Sequence, residues 1–183
     1  MTTQVPNIWR TFVVNGTRLA VIAPNDRLKK RAADLLSQTY IDLVRSGCPT
    51  EADAYEALRG HGLWDDDCTA RKQRLNDAIS EAEIALIHES LDAEERYHVG
   101  LQIERDREEL KLLMAPANVL LDTCAEAKAF EAFWDFLVDE STIYVSNNRL
   151  YFRTKHRAVD DLARDPARQA IFDFMHGRPP LSC

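Results

Sequence analysis

The stretch Gly60-His61-Gly62-Leu63-Trp64-Asp65-Asp66-Asp67 sets the plan of this chain: two glycines break one helical region and an acidic turn opens the next. Glycine inside a helix carries an entropic cost, and negative charge is favoured where a helix N-terminus exposes its N–H groups. After the break, Leu75, Ile79, Ala82 and Leu86 recur at steps of four, three and four, the spacing of a coiled-coil seam. Ser90-Leu91-Asp92 turns the chain, and Asp92 with Glu95 has the form of a capping box for a returning helix. That helix carries Val99, Ile103, Leu110 and Leu113, with Asp106 where an apolar residue is expected, and Pro116 is expected to end it. Helices over about residues 65–89 and 92–114 would each be roughly 35 Å long at 1.5 Å per residue. The pair is a thin antiparallel arm, suited to contact with other proteins and too narrow for a buried active site.

Upstream, Asn15-Gly16 lies between two β-branched runs and supplies the positive φ angles of a type I′ turn, which predicts a β-hairpin over residues 10–23. Pro24-Asn25-Asp26 stops the second strand and caps a one-faced helix carrying Leu28, Ala32, Leu35, Leu36, Tyr40, Leu43 and Val44, closed by Ser46-Gly47. A shorter helix follows Pro49-Thr50, with Thr50 and Asp53 in capping positions and Tyr55 and Leu58 inward. Downstream, Thr123 to Glu126 has the pattern of a capping box for a helix lined by Phe130, Phe133, Trp134 and Leu137. Residues 143–152 predict a second hairpin that adds to the first, and the tail from Val159 to Met175 is helical with a break before Pro166. The expected class is mainly α with minor β (α+β): a small helical body with one or two β-hairpins and a long helical-hairpin arm. The expected division is 1–62, 63–116 and 117–183, with the first and last segments packing as one body.

Length and charge agree with that scheme. A chain of 183 residues can hold one domain with a real core, or a small domain plus a projecting element. A net charge of −7 argues against nucleic-acid binding by bulk positive charge, and no apolar run approaches a membrane span. The first residues have neither the basic nor the apolar segment of a leader, so the chain is expected to stay where it is made.

The residue types that carry chemistry are present, but not at the spacings that chemistry needs. Glu95-Arg96-Tyr97-His98 is a single Glu-x-x-His, whereas a di-iron bundle needs two copies and further glutamates; a solvated helix face explains it. Cys48, His61 and Cys68 match no standard zinc spacing, and the six glycines form no phosphate-binding loop. No nucleophile elbow occurs. No catalytic residue, metal or cofactor is implied. Cys48, Cys68, Cys124 and Cys183 are widely spaced and are expected to be thiols, Cys183 being the one placed to form an intermolecular disulfide. Arg149, Arg153, Lys155, His156 and Arg157 gather beside Tyr151 and Phe152, a pattern that can stack bases but more often meets an acidic partner. The candidate protein-binding residues are Trp64, Trp134, Phe136, Arg153 and Arg157, with Trp134 and Phe136 on different faces of their helix.

The order of segments resembles a known family. A helix ending in Ser46-Gly47, then Pro49 to Leu58, Gly62-Leu63-Trp64-Asp65-Asp66, the charged hairpin with Arg107-Glu108-Glu109-Leu110, and Thr123-Cys124-Ala125-Glu126-Ala127 resemble small tail and baseplate assembly proteins of large contractile-tailed bacteriophages. The resemblance spans roughly residues 35 to 152, with Cys124 inserted where such proteins have Thr-Ala-Glu. It implies a non-enzymatic structural or assembly role, contacts with other tail or baseplate proteins or with further copies of this chain, and a place in the virion or in the host cytoplasm during assembly. No membrane partner is expected, because no apolar run is long enough to span a bilayer. Two alternatives stay open: a tape-measure chaperone absent from the mature virion, and a regulatory adaptor binding nucleic acid through the Arg149–Arg157 patch.

Overall fold

A computed structural model describes residues 7–88, 91–152 and 161–177. Arg153, Lys155, His156, Arg157 and Cys183 lie outside the described residues. The chain is mainly helical, with a small antiparallel sheet, and divides into two compact units: residues 1–46 with 128–183, and residues 47–127. The division therefore falls elsewhere than the sequence placed it. The segment 47–62 belongs with the arm because its helix packs there, as described below.

In the first unit, β1 (Ile8–Val14) and β2 (Thr17–Ile22) form the expected hairpin, with Asn15 at φ 49° and Gly16 at φ 74°. A positive φ at both central residues is what a type I′ turn requires. Strand β3 (Thr142–Tyr144) pairs with β2, giving the order β1-β2-β3. The second hairpin shrinks to one bridge between Ile143 and Leu150. Helix α1 (Asp26–Arg45) starts where Asn25 Oδ1 accepts from the Leu28 N–H at 2.9 Å, and ends before Gly47 at φ 85°.

The core of this unit joins Val21, Ala32, Leu137, Val138, Ala167, Ala170 and Ile171. The small residues Ala163, Ala167 and Ala170 line one face of the last helix, α6 (Asp161–Met175), and are fully buried. Pro166 lies inside α6 rather than at a break. It stays there because its ring is on the exposed side, while the buried alanines and Ile171 on the other side hold the helix in place. Arg10 reaches Asp173 at 3.2 Å, tying β1 to α6.

The second unit begins with α2 (Glu51–Gly60) and contains α3 (Asp66–His88) and α4 (Ala93–Leu121). Thr50 and Asp53 form the predicted capping box of α2, and Asp92 with Glu95 that of α4. Pro116 does not end α4, which continues one more turn and beyond. The reason is tertiary: Ala117, Leu113 and Leu121 pack against Leu58 of α2 and against Trp64. Burial of that face outweighs the one backbone hydrogen bond that proline removes.

Helices α3 and α4 run antiparallel, with Arg71 on Glu109 at 2.7 Å, Arg107 on Glu83, and Arg96 donating to the Leu86 and Leu91 carbonyls at the turn. Of the expected seam only Leu75 and Ile103 are buried; Ile79, Ala82, Leu86, Val99, Leu110 and Leu113 are half-buried. Asp106 takes an inward place and accepts from Gln102 Nε2 at 2.8 Å. This is a helical hairpin, and its described contacts do not define a coiled-coil seam. Helix α5 (Ala125–Ser141) starts in this unit and continues through the first. No helix among the described residues is long and apolar enough to cross a membrane.

Candidate functional site

The residues singled out as partner contacts take up different environments. Trp64 is buried, stacks at a tilt on Tyr55 with centroids 5.1 Å apart, and donates from Nε1 to Thr69 Oγ1 at 2.8 Å. Its surface is spent on the junction of α2, α3 and α4, so Trp64 packs as a core residue. The sequence placed it in a break, where exposure is the ordinary expectation, but the break folds back on α4.

Trp134 and Phe136 line two separate clefts in the first unit. Trp134 meets Phe133 edge-on at 5.3 Å and Phe172 at 5.9 Å, and with Asp165, Arg168, Gln169 and Phe172 it lines a cleft of about 420 Å³. Phe136 carries the Arg31 guanidinium 5.1 Å above its ring. Together with Leu35, Ala132 and the acidic residues Glu131, Asp135 and Asp139 it lines a second cleft, of about 380 Å³. Neither lining contains a serine, threonine, cysteine or histidine, and Lys128 completes the lining of the second. Arg164 Nη1 and Nη2 bind Asp135 and Asp139, both at 3.0 Å, and Arg168 adds a bond to Asp135 at 3.0 Å. Much of the acidic charge along α5 is thereby neutralised within the unit.

The aromatic pair expected to support base stacking is also engaged. Tyr151 is buried in the cluster with Leu19 and Ala163, and Phe152 lies under the Arg164 guanidinium at 4.7 Å. Stacking needs an open ring face; Tyr151 is buried, and Arg164 covers one face of the half-buried Phe152. Phe130, expected inward, is instead exposed. His98 sits 3.9 Å from Glu94, while Glu95 accepts from the Asp92 N–H, so the Glu-x-x-His is a helix face plus a cap. Among the described residues no group of three or more His, Cys, Asp or Glu side chains is arranged to hold a metal ion.

The feature that sequence reasoning missed is the apolar surface of the arm. Ile84 and Ile87 on α3, and Tyr97, Leu112 and Val119 on α4, are 57–74% exposed. Single exposed apolar residues are ordinary, but these five, with Leu120 beside them, stand on a hairpin whose described residues bury only Leu75, Ile103, Asp106 and Ala117 along α3 and α4, which leaves much apolar area in water. The signal was present in the sequence as apolar residues falling outside the seam positions, Ile84, Ile87, Leu112 and Val119 among them.

No protein-family model, curated protein sequence or solved structure matches this chain.

Proposed function

We propose that this protein is a non-enzymatic structural or assembly component of a phage tail or baseplate, working through protein–protein contacts made by the α3–α4 arm. The observation that carries the contact role is the exposed apolar set Ile84, Ile87, Tyr97, Leu112 and Val119 on a two-helix hairpin. Water-exposed apolar area of this kind gains free energy when another protein covers it. The phage setting rests on the segment-level resemblance over roughly residues 35 to 152.

The test is made in cells producing the particles. Mass spectrometry of purified tails should find the chain as a component, and deletion of residues 70–110 should abolish tail assembly. Arg153→Ala with Arg157→Ala should leave assembly nearly intact. If the arginine pair alone blocks assembly while the arm deletion is silent, the contact surface has been put in the wrong place. If the chain assists assembly but is missing from purified particles, it is a chaperone that leaves.

A further inference from the structure

The second unit brings the starts of α2 and α5 together, and with them two cysteines 76 positions apart in the chain. The Ala125 N–H donates to the Pro49 carbonyl at 2.9 Å, and the Glu51 N–H donates to Glu126 Oε2 at 2.9 Å. Within that junction the Cys48 thiol donates to the Thr123 carbonyl at 3.5 Å, and the Cys124 sulfur lies between the Leu120 carbonyl at 3.3 Å and the Thr50 carbonyl at 3.4 Å. Each sulfur thus touches backbone within two residues of the other cysteine, from both sides. Both are thiols, Cys124 buried and Cys48 half-buried.

We propose that Cys48 and Cys124 are a thiol pair that closes to a reversible intramolecular disulfide, stapling the start of α2 to the start of α5 at the base of the arm. A disulfide requires two Cβ atoms brought close by the backbone without large movement, and the crossed hydrogen bonds of this junction place the flanking backbones side by side. Burial and the Glu126 carboxylate hold the Cys124 thiol above its ordinary range, whereas Cys48 is the sulfur with access to solvent. Cys48 therefore reacts first. Its thiolate attacks one sulfur of a small-molecule disulfide of the glutathione type, breaking that S–S bond and releasing one thiol. The Cys124 sulfur, its proton lost to solvent, then attacks Cys48 Sγ in the mixed disulfide and expels the second thiol. Two protein thiols are oxidised, one small disulfide is reduced to two thiols, and the two protein S–H protons are balanced by those the released thiols take up.

This proposal is independent of the phage assignment and is tested on the full chain. Native protein is incubated with oxidised glutathione, remaining thiols are alkylated, and the tryptic peptides are weighed. The expected product joins peptide 46–59 to peptide 112–128 and is lighter by two hydrogens than their sum. Four cysteines allow six pairs, and the same oxidation in guanidinium should spread the product over those pairs, so native oxidation should enrich the Cys48–Cys124 link several-fold. The melting midpoint of the oxidised protein should rise by about 5–15 °C, because the bond closes a long loop. Cys48→Ser should remove the link, and Cys68→Ser or Cys183→Ser should keep it. Persistent glutathione on Cys48 beside alkylated Cys124, or native links that favour Cys68 or Cys183, would overturn the proposal. The main readout needs only the unsubstituted chain, so a variant that folds poorly does not blur it.

Discussion

Glu126 caps a helix that is not its own. Its Oε2 accepts a 2.9 Å hydrogen bond from the N–H of Glu51, the first residue of α2, while Glu126 itself belongs to the first turn of α5. The Thr123 hydroxyl, which the local pattern assigns to the same box, donates backwards to the Leu120 carbonyl at 2.7 Å. Glu126→Ala should therefore speed amide exchange at Glu51 and destabilise this unit by about 0.5–2 kcal/mol, the ordinary cost of a lost cap. Thr123→Val should leave Glu51 exchange unchanged. Equal effects of the two substitutions would mean that the box is local after all.

That exchange of partners illustrates which features a sequence can disclose. Asn15-Gly16, Asn25, Thr50 with Asp53, and Asp92 with Glu95 were legible because each turn or cap is completed within a few residues. Pro116 and Pro166 misled because their helices are held by packing from far along the chain, Leu58 and Trp64 for α4 and the buried alanine face for α6. The α3–α4 pairing followed from periodicity, but its thin burial did not, since apolar spacing says nothing about whether a further surface covers the residues. Of the candidate site, Trp134 and Phe136 were rightly put on different faces, whereas the burial of Trp64 depends on a fold-back that no local pattern encodes.

The clamp between α5 and α6 should rest on Arg164 more than on Arg168. The Arg164 side chain is 15% exposed, bonds both Asp135 and Asp139, and covers Phe152, whereas Arg168 is 41% exposed and bonds Asp135 alone. Removing one partner of a largely buried ion pair leaves unpaired charge behind. Arg164→Ala should cost on the order of 1–3 kcal/mol and Arg168→Ala less than about 1 kcal/mol, read as urea midpoints. The reverse ranking would refute the assignment.

Acid should loosen two helix starts in the second unit. Hydrogen bonds from Thr50 hold the Asp53 carboxyl below its ordinary 3.8, and the bond from the Cys68 N–H does the same for Asp65. A carboxyl whose folded value is depressed binds fewer protons folded than unfolded, so it stabilises above the unfolded value and loses that contribution as pH falls through the folded one. The stabilisation should be intact at pH 5 and fade below about pH 4. Asp53→Asn and Asp65→Asn together should flatten the melting midpoint over that window while barely changing its slope with pH near neutrality. An unaltered acid profile in the double variant would show that neither cap contributes.

The arm offers the sharpest separation of stability from contact. Leu75 and Ile103 are the buried aliphatic residues where α3 meets α4, so Leu75→Ala or Ile103→Ala should each cost about 2–5 kcal/mol. Ile84 and Ile87 stand largely in water, and Ile84→Glu with Ile87→Glu should change stability by no more than about 1 kcal/mol, two surface substitutions at roughly 0.5 kcal/mol each. Helicity by circular dichroism and the denaturation midpoint check both expectations. If the exposed pair serves contact with other proteins, the same double variant should keep its fold yet fail to support tail assembly. A double variant that melts like a core substitution would place Ile84 and Ile87 inside the hairpin's own packing. One that stays folded and still supports assembly would move the contact surface away from these two residues.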